Sequence, residues 1–388
     1  MTRPVIAIVG ASGSVGSGAL ACLMHDDQRY VLRAAYHTRA PQDPDKYDSM
    51  CWSRVNVYDD SSLARFCSGC TVVLNTAGPS SQIGDRVARA ADRAGADYVD
   101  AFGGRQLSDL FQANPLSMNR RVIHSAGIYP GLSELLPRWL ARTHFDKVQT
   151  LRGWSGGREA CSPAAAVDVL ASTHQGFGRA GALWEDGKRI TNAMAAYSAT
   201  DLPGFPGHVY VQPFLSEELE RLIRDLDLHD VRWGNVMAST RALEVIARWS
   251  SRLGIHAGAE NTQAYRQLQQ QAVNDLVETA SMDLAGQTPY YRLLIDMEGT
   301  ASGATRRLRA VLKARDSYRV SGAVAANAAS LLVTNPPPPG TYRADSILDW
   351  EAVLSTLQHN RCIDDFTLAF RGAAGCDDGT DRIEEGVL

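Results

Sequence analysis

The chain has no excess of basic charge, with 39 Lys and Arg against 43 Asp and Glu, a formal net charge of -4. Nothing in that balance draws it to a phosphate backbone, so nucleic acid is not an expected partner and a small-molecule substrate is. Long apolar runs are also missing. Even Ala323 to Val333 is short and carries Asn327, so no membrane association is expected. At the N-terminus, Met1-Thr2-Arg3-Pro4 leads straight into a strand-like run, without the succession of a secretory signal. A cytoplasmic protein is expected. Cysteine is sparse and odd in number, at seven in 388 residues, which disfavours a disulfide framework. Only Cys67 and Cys70 have the spacing of a zinc or redox pair, and no second Cys/His pair lies near them. Packing or a turn is their expected role, and no metal is expected.

With 45% hydrophobic and 21% charged residues, a chain of this length suits two domains, each with its own core. From Val5 to Ala126, short β-branched runs alternate with helical stretches. Strands are expected at Val5–Val9, Val31–Tyr36, Val72–Asn75, Tyr98–Val99 and Arg121–His124, with a helix over Ile83–Ala94. This predicts an α/β fold, a Rossmann-type doubly wound parallel sheet over residues 1–130. From residue 131 to 334 that alternation stops. Strands at 148–154, 208–214 and 291–298, and helices at 241–253 and 263–284, predict a second α+β substrate domain built on a mixed sheet. The run Asn335-Pro336-Pro337-Pro338-Pro339-Gly340 is a stiff connector. A helix over 345–357 is expected to return to the first domain, making 335–374 a separate segment, and 375–388 a frayed acidic tail.

The chemistry begins at Ile6-Ala7-Ile8-Val9-Gly10-Ala11-Ser12-Gly13-Ser14-Val15-Gly16. A strand runs into three glycines at three-residue spacing, and a helix is expected over Ser14–Met24. In that setting Gly10 permits a tight turn, Gly13 admits a pyrophosphate, and Gly16 lets the helix approach the sheet. The N–H groups of Ser12, Ser14 and Val15 complete the anion site. Which dinucleotide binds turns on the end of the second strand, where NAD binders carry an acidic residue for the ribose hydroxyls. Here that strand ends in His37-Thr38-Arg39, with no carboxylate to repel a 2′-phosphate and an Arg able to clamp one. NADPH is the expected cofactor, ahead of NADH. Arg39 as a solvated loop charge is the alternative.

Further along, Val72-Val73-Leu74-Asn75-Thr76-Ala77-Gly78-Pro79 and Ala94-Gly95-Ala96-Asp97-Tyr98-Val99-Asp100 closely resemble the saccharopine dehydrogenase-like NAD(P)-dependent oxidoreductases. So do Ala126-Gly127-Ile128-Tyr129-Pro130-Gly131-Leu132-Ser133, and Glu298-Gly299 with Arg315-Asp316-Ser317-Tyr318 and the Ala-rich helix after it. The four blocks span most of the chain in the family's order. The resemblance implies a Rossmann domain, a substrate domain on a mixed sheet, and reduction of a C=N bond, or in some lineages a C=C bond. It points to an amino-acid-derived substrate in specialised siderophore or peptide natural product metabolism, free or bound to a carrier protein, and to a homodimer. Ser80 departs from the aromatic residue usual after Asn-Thr-Ala-Gly-Pro.

Ligands in open parallel sheets cross the carboxyl ends of the strands, so Asn75, Thr76, Ala77, Gly78, Pro79 and Gly127 are expected beside the cofactor. A reductase also needs a proton donor. Tyr129 is the first candidate and His124 the second, with Asp100 to orient an imidazole or a substrate amine. His124 as an inward, satisfied histidine and Asp100 as a turn cap are the alternatives. In the second domain, Trp154 with Arg158 nearby suits an aromatic or carboxylate-bearing substrate, and His174 is a further contact. Trp154 as core is the competing reading. Asp201 to His208 reads as a loop able to close over a ligand. Besides the reductase, an enoyl reductase and a non-catalytic NADP sensor remain open.

Overall fold

The computed structural model describes residues 3–25, 29–41, 50–173, 177–199, 202–256, 258 and 262–371. They form two compact units, Met1–Leu136 with Ser317–Cys362, and Pro137–Asp316 with Ile363–Leu388.

The first unit opens with β1 (Val5–Val9), α1 (Ser14–Met24), β2 (Val31–Tyr36), β3 (Cys51–Arg54), α2 (Asp60–Cys67) and β4 (Val72–Asn75). It continues with α3 (Ser80–Ile83), α4 (Arg86–Arg93), β5 (Asp97–Asp100), α5 (Gly104–Ala113), β6 (Arg121–His124) and α6 (Leu132–His144), whose last turns belong to the second unit. Strand order across the sheet is β3-β2-β1-β4-β5-β6, and these strands pair in parallel. That is the doubly wound order, in which the sequence of strands reverses between β1 and β4. Ile6 and Ile8 on the central strand are fully buried, each contributing about 1.5–3 kcal/mol of burial. On one face Ala7, Val9 and Val73 meet Leu63, Val87 and Phe111 from α2, α4 and α5.

In the second unit come β7 (Lys147–Arg158), α7 (Pro163–Ser172), β8 (Gly178–Ala180), β9 (Leu183–Glu185), β10 (Lys188–Ile190), β11 (Tyr197–Ala199), β12 (Val209–Ser216), α8 (Glu217–Asp225) and β13 (Asp230–Met237). Next are α9 (Thr240–Ile255), α10 (Gln263–Leu284), β14 (Tyr290–Ala301) and β15 (Ala304–Ala314). These strands belong to a ten-stranded mixed sheet, in which β13 and β7 run parallel while β14 is antiparallel to both its neighbours. Helices α7, α9 and α10 bury Leu170, Trp249 and Val273 against one another.

The chain ends with α11 (Ser317–Thr334), β16 (Gly340–Arg343), α12 (Ala344–Ile347), α13 (Trp350–His359) and β17 (Asp365–Arg371). Here the expected boundary at residue 334 needs correction, because α11 belongs to the first unit. Its small residues are the reason. A Cβ on Gly322 would stand 2.4 Å from Ala19 N, and one on Gly18 would stand 2.9 Å from Arg319 Cα, so α1 and α11 pack with their backbones almost touching. The return to the first unit therefore starts at Ser317 and not after the prolines. From there β16 joins the parallel sheet beside β6. The last strand of the mixed sheet, β17, lies in the second unit and pairs with β15.

Two expected helices are interrupted for visible reasons. The one over Ile83–Ala94 breaks at Gly84, with φ +57, before α4 begins. The one over 345–357 breaks at Asp349, whose side chain accepts the Ala352 N–H (2.9 Å) and caps α13. The expected tail at 375–388 lies outside the described residues. Among the described residues no helix is long and apolar enough to cross a membrane.

Candidate functional site

Helix α1 starts at the carboxyl end of β1, with Gly13 as its N-cap in extended backbone, no side-chain cap and no acidic residue in its first turn. The opening N–H groups of a helix lack intrahelical acceptors and carry the positive end of its dipole, so this mouth suits an anion.

The three glycines serve different ends. Gly10 has φ +80, and a Cβ there would stand 2.8 Å from both Ala77 Cα and Ala77 N. At Gly16 the added atom would meet Gly10 O at 2.1 Å and Thr76 Oγ1 at 2.7 Å. The fold itself demands both. Gly13 differs, since it is exposed and a Cβ would have Gly10 O, at 3.1 Å, as its one neighbour within 4 Å. A side chain there would press on that one carbonyl and otherwise stand over the open side of the loop, which is the side a dinucleotide phosphate approaches, so the loop fits a dinucleotide. Ser12 and Ser14 lie half-buried and exposed at the same mouth, while the Val15 side chain is in the core. Only the N–H of Val15 can serve a ligand.

At the end of β2, His37, Thr38 and Arg39 are all exposed, and among the described residues no carboxylate pairs with Arg39. The fold adds a residue that sequence reading missed. Arg54 ends β3 directly opposite Tyr36, and its Nε donates to His37 O (3.1 Å), bringing a second guanidinium to the place where a Rossmann fold receives the adenosine ribose. Its strand, Cys51-Trp52-Ser53-Arg54, is too short and too polar to be noticed from pattern alone.

Asn75, Thr76 and Ala77 stand beside the glycine loop as expected. Thr76 Oγ1 donates to Val9 O (2.8 Å), which fixes the wall against which Gly16 packs. Asn75 Oδ1 accepts the Ala77 N–H (3.2 Å). Gly78 is exposed, and the Gly78–Pro79 peptide is cis. Pro79 then leads into α3, its carbonyl accepting from Gln82 and Ile83 N–H groups.

Two catalytic candidates are buried and hydrogen-bonded within the fold. Asp100 is buried and accepts from Asn75 Nδ2 (3.0 Å), Phe102 N–H (2.8 Å) and the Tyr98 hydroxyl. It ties the ends of β4 and β5 to the next turn. Burial, reinforced by the Asp100 charge, holds the Tyr98 phenol well above its ordinary pKa, so Tyr98 stays a donor to that carboxylate. His124 is also buried, with Nδ1 at 3.0 Å from Ser125 Oγ and Nε2 at 3.3 Å from Ser108 Oγ. Both ring nitrogens are occupied within the fold. Gly127 is buried, its N–H bonds to Pro130 O (3.2 Å), and a Cβ would stand 2.5 Å from Ala101 O, so it shapes the loop that carries Tyr129.

Tyr129 keeps its candidacy. Half-buried in that loop, it is held by the Ile128 N–H donating to Ser321 Oγ (3.2 Å) on α11 and by the Gly131 N–H donating to Glu134 Oε2 (2.7 Å). At the ends of β4 and β5 a shallow recess of about 10 Å³ lies between Asn75, Ser80, Asp100, Gly103 and Gln106, room for about one water.

In the second unit, Trp154 is half-buried, donates from Nε1 to Tyr197 Oη (3.1 Å), and packs beside Phe205, Val211 and Leu294. His174 and Asp201 lie outside the described residues. The rest of the loop expected to close over a ligand packs on its own sheet, through Phe205 and a bond from Arg292 Nε to Gly204 O (2.8 Å). Cys67 and Cys70 are buried packing residues. Burial, with the neighbouring Cys70, pushes the Cys67 thiol up to about 12, so as it stands it is protonated at neutral pH.

Residues 6–121 match the family model described as the saccharopine dehydrogenase NADP binding domain. Among solved structures, the chain is similar to saccharopine dehydrogenase (L-Glu forming) from Saccharomyces cerevisiae, at 15% identity and a TM-score of 0.63, covering 95% of this chain and 100% of that one. It also matches C. glutamicum DAP dehydrogenase in complex with DAP, at 16% identity and a TM-score of 0.47, covering 92% and 99%. No curated protein matches the chain in sequence.

Proposed function

We propose that the protein is an NADPH-dependent reductase of a C=N bond, a reading supported by the match of residues 6–121 to the saccharopine dehydrogenase NADP binding domain. The substrate is an imine or thiazoline-like compound derived from an amino acid, free or carried on a protein, of the kind made in siderophore or peptide natural product metabolism. The observation that carries the cofactor reading is Gly13, exposed at the open mouth of α1 with Gly10 O as the one neighbour a Cβ would meet. NADPH, when bound, supplies the hydride. The N–H groups around Gly13 receive its pyrophosphate, and Arg39 and Arg54 hold the 2′-phosphate and discriminate against NADH. Tyr129 hands a proton to the substrate nitrogen as the carbon is reduced. A tyrosine hydroxyl suits this role on a stiff loop, because the proton must be delivered along one direction.

The test is NADPH consumption with a panel of cyclic imines and enones. Oxidation with an imine is the expected result. Oxidation with enones alone would assign C=C reduction instead, and tight NADPH binding without turnover on either class would make the protein a sensor.

A further inference from the structure

In the second unit two arginines gather on one buried tyrosine. Arg158 and Arg292 both lie over the ring of Tyr290, their guanidinium carbons 5.6 Å and 5.4 Å from its centroid. In the β7–β14 ladder Tyr290 faces Arg158, Arg292 faces Gly156 and Leu294 faces Trp154. With a strand period of two, these side chains stand on one face of the sheet.

Each guanidinium is only partly exposed, and among the described residues neither makes an ion pair. Arg292 donates to the carbonyls of Gly204 (2.8 Å), Tyr291 (2.8 Å) and Ala314 (2.9 Å). The carboxylates whose charge reaches it, Asp364 and Asp365, are taken by Arg315 (3.3 Å) and Lys313 (2.7 Å). Arg158 reaches a neutral acceptor, Gln287 Oε1 (3.0 Å), and its buried Nε has none. Tyr290 is 4% exposed, and its buried hydroxyl has no partner either. Unsatisfied buried donors and unpaired cations are costly, and a native fold retains them together where something else completes them. All the groups left over are donors.

We propose that this face is an anion subsite that takes a carboxylate, with Arg158 and Tyr290 donating to it and Arg292 supplying field. Trp154, fixed by its bond to Tyr197, provides an aromatic surface for the apolar or ring portion attached to that carboxylate. Burial raises the Tyr290 phenol above its ordinary pKa, so it is protonated and able to donate at neutral pH. Naming the ligand as the substrate rests on the reductase reading; the subsite itself does not.

The test is calorimetric titration of the full-length protein, without cofactor, using benzoate, its neutral analogue benzamide, and inorganic phosphate. Saturable benzoate binding is expected, with benzamide weaker by about tenfold or more, since it forfeits the charge-assisted bonds. Arg158→Gln is expected to weaken benzoate by about tenfold or more, and Tyr290→Phe by several-fold. Tyr290→Phe should melt at or above the wild-type temperature, because it removes an unsatisfied hydroxyl. Arg307→Gln, whose guanidinium pairs with Glu298 on an exposed surface (2.9 Å), should bind benzoate as the wild type does. Equal binding of benzoate and benzamide, tighter binding of phosphate, no benzoate binding, or unchanged affinity in both folded site variants would overturn the proposal. NADPH titration of the same proteins reports separately on the first unit, so failure of the reductase reading is distinguishable.

Discussion

Replacing Gly13 by Val separates cofactor binding from folding more cleanly than any other change in the first unit. The backbone at Gly13 is extended (φ -78, ψ 172), a conformation open to every residue. The new Cβ would meet Gly10 O at 3.1 Å and nothing else within 4 Å, and the position is exposed. The folding penalty is therefore the loss of an N-cap glycine plus a small shift of the Gly10 carbonyl, about 1–2 kcal/mol. The effect on ligand is larger. An isopropyl group over the mouth of α1 blocks the approach of a pyrophosphate to the N–H groups there, and hydrogen bonds to a charged group are worth about 1.5–3 kcal/mol each. Losing two of them weakens NADPH by roughly a hundredfold or more. Gly16→Ala is the control with the opposite outcome, because its Cβ would collide with Gly10 O at 2.1 Å and close overpacking typically costs about 1–3 kcal/mol or more. The assay pairs NADPH titration by calorimetry with thermal melting. Gly13→Val should melt near wild type without binding, and Gly16→Ala should melt lower. A folded Gly13→Val that retains NADPH affinity within about twofold would refute the assignment of this loop, since the lost bonds were worth far more.

Arg39→Ala and Arg54→Ala should each weaken NADPH by about tenfold or more and leave NADH unchanged, as the loss of a charge-assisted phosphate contact requires; parallel losses for both cofactors would show that neither guanidinium reads the 2′-phosphate. Tyr129→Phe should lower turnover by roughly 10²–10⁴ with NADPH affinity preserved, the range of a lost general acid, and near-normal turnover would move the proton donor elsewhere. Asp100→Ala leaves the donors of Asn75, Tyr98 and Phe102 without their acceptor, at about 1–3 kcal/mol each, so urea unfolding should show a loss of roughly 3 kcal/mol or more. An Asp100→Ala protein of normal stability but lacking turnover would return that residue to the chemistry.

The first sheet was legible because its signals are local. Val5–Val9, Val31–Tyr36 and Val72–Asn75 are short β-branched runs bounded by glycines and polar turns, and a strand buried on both faces needs little more to declare itself. Glycine spacing, helix start and the missing carboxylate after β2 lie within one βαβ unit, so the cofactor loop could be read from neighbours in sequence. The saccharopine dehydrogenase-like resemblance extended that reading to the order of the domains.

Tertiary structure decided what depends on residues far apart in the chain. Sequence could offer His124 and Asp100 as catalysts, but Ser108, Tyr98 and Asn75 come from other turns of the fold, and only their arrival shows that both polar groups are already satisfied. The same distance hid Arg54, placed beside His37 by the pairing of β2 with a strand too short to predict, and it hid α11, drawn to α1 by glycines more than 300 positions apart. In the second unit, Trp154 and Arg158 were visible as candidates, but that Arg158 makes no ion pair among the described residues was not, because an ion pair's absence is a property of everything packed around it. Local pattern fixes what a segment can form and which anion its backbone can hold; the balance of charge and hydrogen bonds in a buried site is set by long-range packing, which no window of sequence contains.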